Sequence, residues 1–294
     1  MGARVTRNKW VFPTVAAMVG LATVAGCREL KAQGEPLQLC RYKKVFADDF
    51  NDLSVSKSNN ERARWSAHTP WNGDFGDAQF IDPIDIFADP EKNAPFIVKD
   101  GILKIRARKH EKGKWTSGLL SSADPTTAGF ALMYGYFEAR MKLPPGPGVW
   151  PAFWLNSNKS KDDKTPSVEI DVLEYYGQFP DGFHSVWHIW DKVDPKKNTG
   201  GEIITSVPSG SLNDSFHTYG VDVTKEWIVF YLDRREIGRT PTPPEHTKPL
   251  MILVNLALGS GWPIDKTPNP SDLLVDYVYA FAPDEAKRDA VCKE

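Results

Sequence analysis

Glu169, Asp171 and Glu174 fall within one short stretch, Ser167-Val168-Glu169-Ile170-Asp171-Val172-Leu173-Glu174-Tyr175-Tyr176-Gly177. The β-branched Val168, Ile170 and Val172 favour a strand. Alternate strand residues share a face, so Glu169 and Asp171 point one way and simple alternation sends Glu174 the other. One extra residue at a bulge near Val172-Leu173 returns Glu174 to the shared face, and bulges recur beside active sites for this purpose. Three carboxylates on one face repel each other, a cost that chemistry can justify. Glycosidic-bond hydrolysis uses such a set, because one carboxyl protonates the leaving oxygen and a second attacks the sugar or activates water. With one step lost to the bulge, a rise of ~3.3 Å per residue separates the two glutamate Cα atoms by about 13 Å. Side chains leaning together close the carboxyl gap to about 5–5.5 Å, the spacing of a retaining mechanism. Asp171 between them can hold a shared proton and push its neighbours' pKa values apart. A solvated acidic strand would carry the same short pattern, so the flanking residues decide.

Several elements must position this strand. Gly101-Ile102-Leu103-Lys104-Ile105-Arg106-Ala107-Arg108 alternates, with Leu103, Ile105 and Ala107 inward. Tyr134 to Leu143 alternates again, with Phe137, Ala139, Met141 and Leu143 on one face and Tyr136, Glu138, Arg140 and Lys142 on the other. That second face reads as a polar groove, which makes Glu138 and Arg140 candidates for sugar contact; a surface ion pair of little energetic worth is the competing reading. After the rigid Pro144-Pro145-Gly146-Pro147-Gly148 turn, Trp150 and Trp154 offer aromatic faces for the apolar patch of a pyranose, one as platform and the other as core. His188 shares parity with His184 and Val186 one strand beyond the acidic stretch, where it either lines the cleft or is structural. Asn255 interrupts the apolar run Leu250–Gly259 and needs a partner, and Trp262 is a further platform candidate. Trp227 to Ile237 reads as a hairpin turning at Asp233-Arg234-Arg235, with no glycine in the turn.

The chain has 294 residues, is 41% hydrophobic and carries a net charge of −2, enough for a large core and no case for nucleic acid. Residues 1–27 read as an export signal: Arg4, Arg7 and Lys9, then a mostly apolar stretch ending Val24-Ala25-Gly26-Cys27. That ending looks like a lipobox with Cys27 as the lipidated residue, and cleavage after Ala25 is the alternative. The membrane is then reached only through that anchor. Cys40 and Cys292 remain as a pair for an oxidising compartment, or as free thiols on mobile ends. The expected organisation is a signal at 1–27, a linker at 28–44, one catalytic domain at 45–283 and a charged tail at 284–294.

Glu169-x-Asp171-x-x-Glu174 resembles the active-site signature of glycoside hydrolase family 16 in its bulged form. Further landmarks follow in that family's order: Phe46-Ala47-Asp48-Asp49-Phe50-Asn51 with Trp65, Trp115-Thr116-Ser117-Gly118, Trp150-Pro151-Ala152-Phe153-Trp154, Phe216-His217-Thr218-Tyr219-Gly220-Val221-Asp222 and Leu274-Val275-Asp276-Tyr277-Val278-Tyr279. The resemblance covers about residues 45–282 and implies an all-β fold, a curved antiparallel sandwich of the concanavalin A-like jelly-roll type. It implies Glu169 as nucleophile, Glu174 as acid/base, Asp171 as the assisting carboxylate and Asn255 facing the sugar. No cofactor is implied for catalysis. At Asp276 it implies a structural calcium, against which stands a hydrogen bond to a neighbouring strand. The expected protein is a monomeric, exported endo-glycosidase that is periplasmic, extracellular or lipid-anchored. Its expected substrate is a β-1,3/1,4-glucan or a succinoglycan-like exopolysaccharide. A lectin-like glycan binder and a transglycosylase are the alternatives. The loops Asn59–Pro95 and Asp191–Gly210 match nothing that assigns the substrate.

Overall fold

The computed structural model describes residues 34–56, 63–71, 73–83 and 94–292; the export signal and Cys27 lie outside them. Strands stack into two facing sheets. The ten-stranded sheet runs β16 (Arg235–Pro241), β15 (Trp227–Leu232), β14 (His217–Val223), β9 (Gly135–Lys142), β18 (Ser271–Pro283), β6 (Ile102–Lys109), β7 (Trp115–Ser117) and β4 (Gln79–Phe80). To it β1 (Tyr42–Asp48) adds on β18 and β5 (Phe96–Lys99) on β6. The eight-stranded sheet runs β13 (Thr199–Ser206), β12 (Gly182–Trp190), β11 (Ser167–Glu174), β10 (Val149–Ser157), β17 (Leu250–Leu258), β8 (Leu119–Ser121), β3 (Trp65–Ala67) and β2 (Val55–Ser56). Pairing is antiparallel except at the short β2–β3 and β4–β7 contacts. This is the expected all-β jelly-roll sandwich.

The core lies between the sheets and follows the alternation. On β9 it takes Phe137, Ala139 and Met141, and on β11 it takes Val168, Ile170, Val172 and Leu173. The last two are consecutive, and their shared burial marks the bulge. Asp171 pairs with Val186 and Glu174 with His184, so β11 uses one residue more than β12 across the same interval. The same step appears against β10, where Phe153 faces Leu173 and Trp154 faces Asp171.

The domain begins earlier than the sequence predicts. β1 starts at Tyr42 and pairs along β18 from Pro283 to Val278. Upstream, Leu37 N donates to Arg234 O at 2.9 Å and Glu236 N to Glu35 O at 3.0 Å, so the described part of the linker is docked on a hairpin. The tail is docked too: Asp284 N reaches Arg41 O at 2.8 Å and Arg41 Nε reaches Ala290 O at 2.7 Å. Cys40 and Cys292 are bonded across 252 residues. In the chain-entropy model such a loop stabilises by roughly 5 kcal/mol at most, less here because the ends already hold each other.

The outer face of β9 corrects the expectation for Glu138 and Arg140. β9 belongs to the sheet opposite β11, so neither residue reaches the acidic strand. Glu138 is fully buried and accepts Arg234 Nε at 2.9 Å, Arg234 Nη2 at 2.7 Å and Tyr136 Oη at 2.9 Å. That clamp explains the glycine-free hairpin. Asp233 and Arg234 both adopt positive φ, +49° and +59°. Asp233 is held by Thr218 N at 2.9 Å and His217 Nδ1 at 2.8 Å, and Arg234 by Glu138. Side-chain bonds therefore secure a backbone conformation usually left to glycine.

Asp276 is the second correction. Its carboxylate is bonded to Arg140 Nη1, and the guanidinium lies 5.0 Å from the Phe216 ring. A calcium ion would have to displace that guanidinium. Asp48, on the paired strand β1, already accepts Phe50 N, Trp65 Nε1 and Arg64 Nε. These residues do not fit a calcium site.

Candidate active site

The face of the eight-stranded sheet turned away from the core carries a cavity of about 240 Å³ lined by Trp71, Phe75, Trp150, Ala152, Trp154, Glu169, Asp171, Glu174 and His188. Cross-strand register assembles it. On β10, Ala152 stands opposite Glu174, Trp154 opposite Asp171 and Asn156 opposite Glu169. On β12, His188 stands opposite Glu169 and His184 opposite Glu174. The period of two along β10 therefore meets the bulged β11 so that every second residue of one faces a carboxylate of the other.

Each carboxylate has its own donors. Glu169 accepts Asn156 Nδ2 at 2.7 Å and a hydrogen bond from Trp190. Glu174 accepts Trp150 Nε1 at 3.0 Å and Tyr176 Oη at 3.4 Å. Asp171 lies 3.8 Å from His188 Nε2. Among the described residues no arginine or lysine pairs with any of the three.

Burial without a cation raises all three proton affinities. Burial pushes Glu169 up to about 7, with Glu174 adding to the rise and the two N–H donors opposing it. Burial, and then the charges of both glutamates, drives Asp171 well above the carboxylate range. Glu174 is raised by burial and held back by Trp150, His184 and Tyr176. Asp171, which feels both glutamate charges and the deepest burial, is therefore the first to hold a proton. A neutral Asp171 places no like charge on Glu169, whose donors favour the ionised form against burial and Glu174. Burial lowers His188, which leaves a neutral imidazole beside that proton.

Aromatic rings form the walls. Phe75 meets Trp150 edge-on at 5.3 Å and Trp154 at 5.9 Å, and Trp71 meets Trp154 at 6.0 Å. Trp150 stacks on Tyr176 at 6.3 Å. Both tryptophans of β10 thus line the cavity, and neither is spent on the core between the sheets.

Two expected contacts fall elsewhere. Asn255 shares the cavity-bearing face, opposite Ala152, but is fully buried beneath it, and its Oδ1 accepts Trp154 Nε1 at 2.7 Å, so it orients an aromatic wall without lining the cavity. Trp262 lies outside the cavity, edge-on to Phe179 at 5.1 Å. Gly259, Ser260 and Gly261 all have positive φ and turn the chain away before it.

Sequence reasoning missed Trp71, Phe75, Asn156, Tyr176 and His184. Asn156 had a signal, since it continues the period of Trp150 and Trp154 along β10. Trp71 and Phe75 sit in an irregular loop where no period applies.

The family model for glycosyl hydrolases family 16 matches residues 91–279. An endo-1,3-1,4-beta-glycanase, EglC, of Rhizobium meliloti (strain 1021) is 34% identical over 259 residues, 82% of this chain and 52% of that protein. A second, ExsH, of the same organism is 32% identical over 87% of this chain and 56% of its own length. The chain thus spans about half the length of these curated relatives. Among solved structures, SCLam, a non-specific endo-beta-1,3(4)-glucanase, aligns with a TM-score of 0.65 at 24% identity, covering 85% of this chain and 95% of its own, a likeness of fold. With the family model spanning well over half of its length, the chain belongs to glycosyl hydrolases family 16.

Proposed function

We propose that the protein is a retaining endo-β-glycanase that cuts internal β-1,3/1,4 bonds of a glucan-type polysaccharide by double displacement. One observation carries this reading: three carboxylates share a face inside an aromatic-lined cavity with no cation to neutralise them. In the first step the Glu169 carboxylate attacks the anomeric carbon and forms an ester bond. The glycosidic C–O bond breaks, and its oxygen takes the proton of Glu174. In the second step Glu174, now ionised, accepts a proton from water, and the water oxygen displaces the ester and restores Glu169. Asp171 keeps its proton beside Glu169 and stabilises the charge that returns there. Trp150 donates to Glu174 through its indole N–H and presents its ring to the sugar.

The reading extends to location. An export signal precedes the domain in the sequence, and the Cys40–Cys292 bond suits an oxidising compartment. Cys27 is the proposed lipid attachment point.

The test is digestion of mixed-linkage β-1,3/1,4-glucan, followed by reducing-end release and by NMR of the first-formed anomer. New ends from mid-chain cuts with retained β configuration are expected. Inverted product, or binding without cleavage, would overturn the assignment.

A further inference from the structure

We propose that the lysine-lined depression beside Glu169 is a subsite for an anionic group carried by the polysaccharide, a carboxylate or a sulfate ester. It rests on the endo-glycanase reading above and narrows the substrate from neutral to acidic β-glycans.

The depression is continuous with the catalytic cavity. Trp71 lines both, Asn156 lines the depression and donates to Glu169, and Ser167 stands two residues before Glu169 on β11. Lys159 and Lys161, from the loop between β10 and β11, and Lys192, from the loop between β12 and β13, all line it, with Lys159 Nζ bonded to Thr165 O. Of the four aspartates in these loops, Asp162 does not line the depression and the other three have partners of their own. Asp163 pairs with Lys248 at 2.7 Å and accepts Thr165 N and Oγ1. Asp191 is turned onto its own loop, accepting Val193 N at 2.8 Å and Asp194 N at 2.9 Å. Asp194 faces Lys197 at 3.8 Å.

No carboxylate lines the depression, and Lys161 and Lys192 have no ion-pair partner among the described residues. Burial holds Lys159 below the usual lysine range, Asp163 and Asp191 opposing the shift and Lys192 and Lys248 adding to it. Lys161 and Lys192 are exposed and Lys159 is half-buried, and three like charges side by side repel one another until an anion arrives. Hydroxyls of a neutral glucan would leave that cost standing. Lysines act as point charges that need no planar partner, which suits either a carboxylate or a sulfate.

The experiment compares neutral mixed-linkage β-glucan, its C6-oxidised derivative bearing carboxylates and its sulfated derivative, for the wild type and the Lys161→Gln/Lys192→Gln double variant. The expected wild-type kcat/KM is at least about tenfold higher on one anionic derivative than on the neutral glucan at low salt, an advantage lost in concentrated salt. The double variant should lose that preference and keep its rate on the neutral glucan. Whichever derivative is preferred names the anion. A preference that survives the double variant, or an equal loss on neutral and anionic polymers, overturns the subsite. Calorimetric binding of the oxidised oligosaccharide is measured in parallel. If the wild type cleaves nothing, the glycanase reading fails, while a tenfold weaker binding by the double variant would still support the subsite and unchanged binding would remove it.

Discussion

Carboxylates stand on the outward faces of both sheets, and their partners differ. On the ten-stranded sheet Glu138 takes two N–H groups of Arg234, and Asp276 is bonded to Arg140. On the eight-stranded sheet Glu169 and Glu174 receive neutral donors only: Asn156, Trp190, Trp150 and Tyr176. An arginine neutralises a buried carboxylate and fixes it in one ionised state, which secures a turn and leaves no proton to exchange. Neutral donors hold a carboxylate in place while leaving its proton affinity raised, which acid–base chemistry needs. Burial alone does not separate the two regions. Glu138 is fully buried and Glu169 only partly exposed, so the partner makes the difference.

The comparison breaks most sharply at Glu169. Glu169→Gln removes the attacking oxygen at nearly constant volume, and hydrolysis should fall at least about a thousandfold. Folding should survive, because no cation is left unpaired. Reducing-end assays with thermal unfolding check this; near-normal turnover would move the nucleophile elsewhere. Glu138→Gln should do the reverse. The arginine loses its counter-charge, and stability should fall by roughly 3 kcal/mol, the low end for breaking a buried pair because Arg234 still reaches solvent. Turnover by the remaining folded protein should not change. Denaturant titration measures the first effect and kcat the second. A loss of kcat with intact stability would return Glu138 to the site.

The sequence was legible where a period applied. Alternation located the core faces of β6, β9 and β11, and the mismatch between period and carboxylate spacing located the bulge. It could not say which sheet a strand joins. Glu138 and Arg140 alternate like a cleft wall, yet β9 hydrogen-bonds to β14 and β18, a long-range choice that leaves no local mark. The need of Asn255 for a partner was legible, since it is a polar residue in an apolar strand, and the resemblance implied a sugar; the partner is the Trp154 indole, 101 residues away. Trp71 and Phe75 sit in a loop whose path depends on packing against β10.

The proton affinities also predict a stability profile. Glu169 has an ordinary value of 4.5 and is pushed up to about 7 by burial. Below pH 4.5 both folded and unfolded forms are protonated, and the burial costs nothing. Between pH 4.5 and 7 the unfolded chain ionises first, so stability falls as pH rises, by roughly 3 kcal/mol before levelling off. Asp171, shifted the same way, adds to the fall. Glu169→Gln should flatten the decline and be more stable than wild type at pH 8. Melting temperatures across pH 4–8 test this, and a wild-type profile rising over that window would contradict the assignment of unpaired, desolvated carboxylates.

The smallest expected effect concerns His184, which sharpens the comparison by adding a positive influence on Glu174. It stands opposite Glu174 in the β11–β12 register, and its ring meets Tyr176 edge-on at 5.1 Å. Its Nδ1 is bonded to the Glu202 carboxylate. Positive charge on His184 favours the ionised form of Glu174, whereas burial favours the neutral form. The leaving oxygen takes its proton from Glu174, so activity declines as pH rises through that residue's pKa. Replacing His184 with glutamine removes the positive influence and lets burial raise Glu174 further. The alkaline limb of kcat/KM should then move upward, a small displacement because His184 is one of several groups acting on Glu174. Damage to the fold alone would scale the rate at every pH and leave the limb in place. A limb that stays fixed in His184→Gln, or moves downward, would disconnect the histidine from the acid and leave burial and the two hydroxyl and indole donors as the whole account of Glu174.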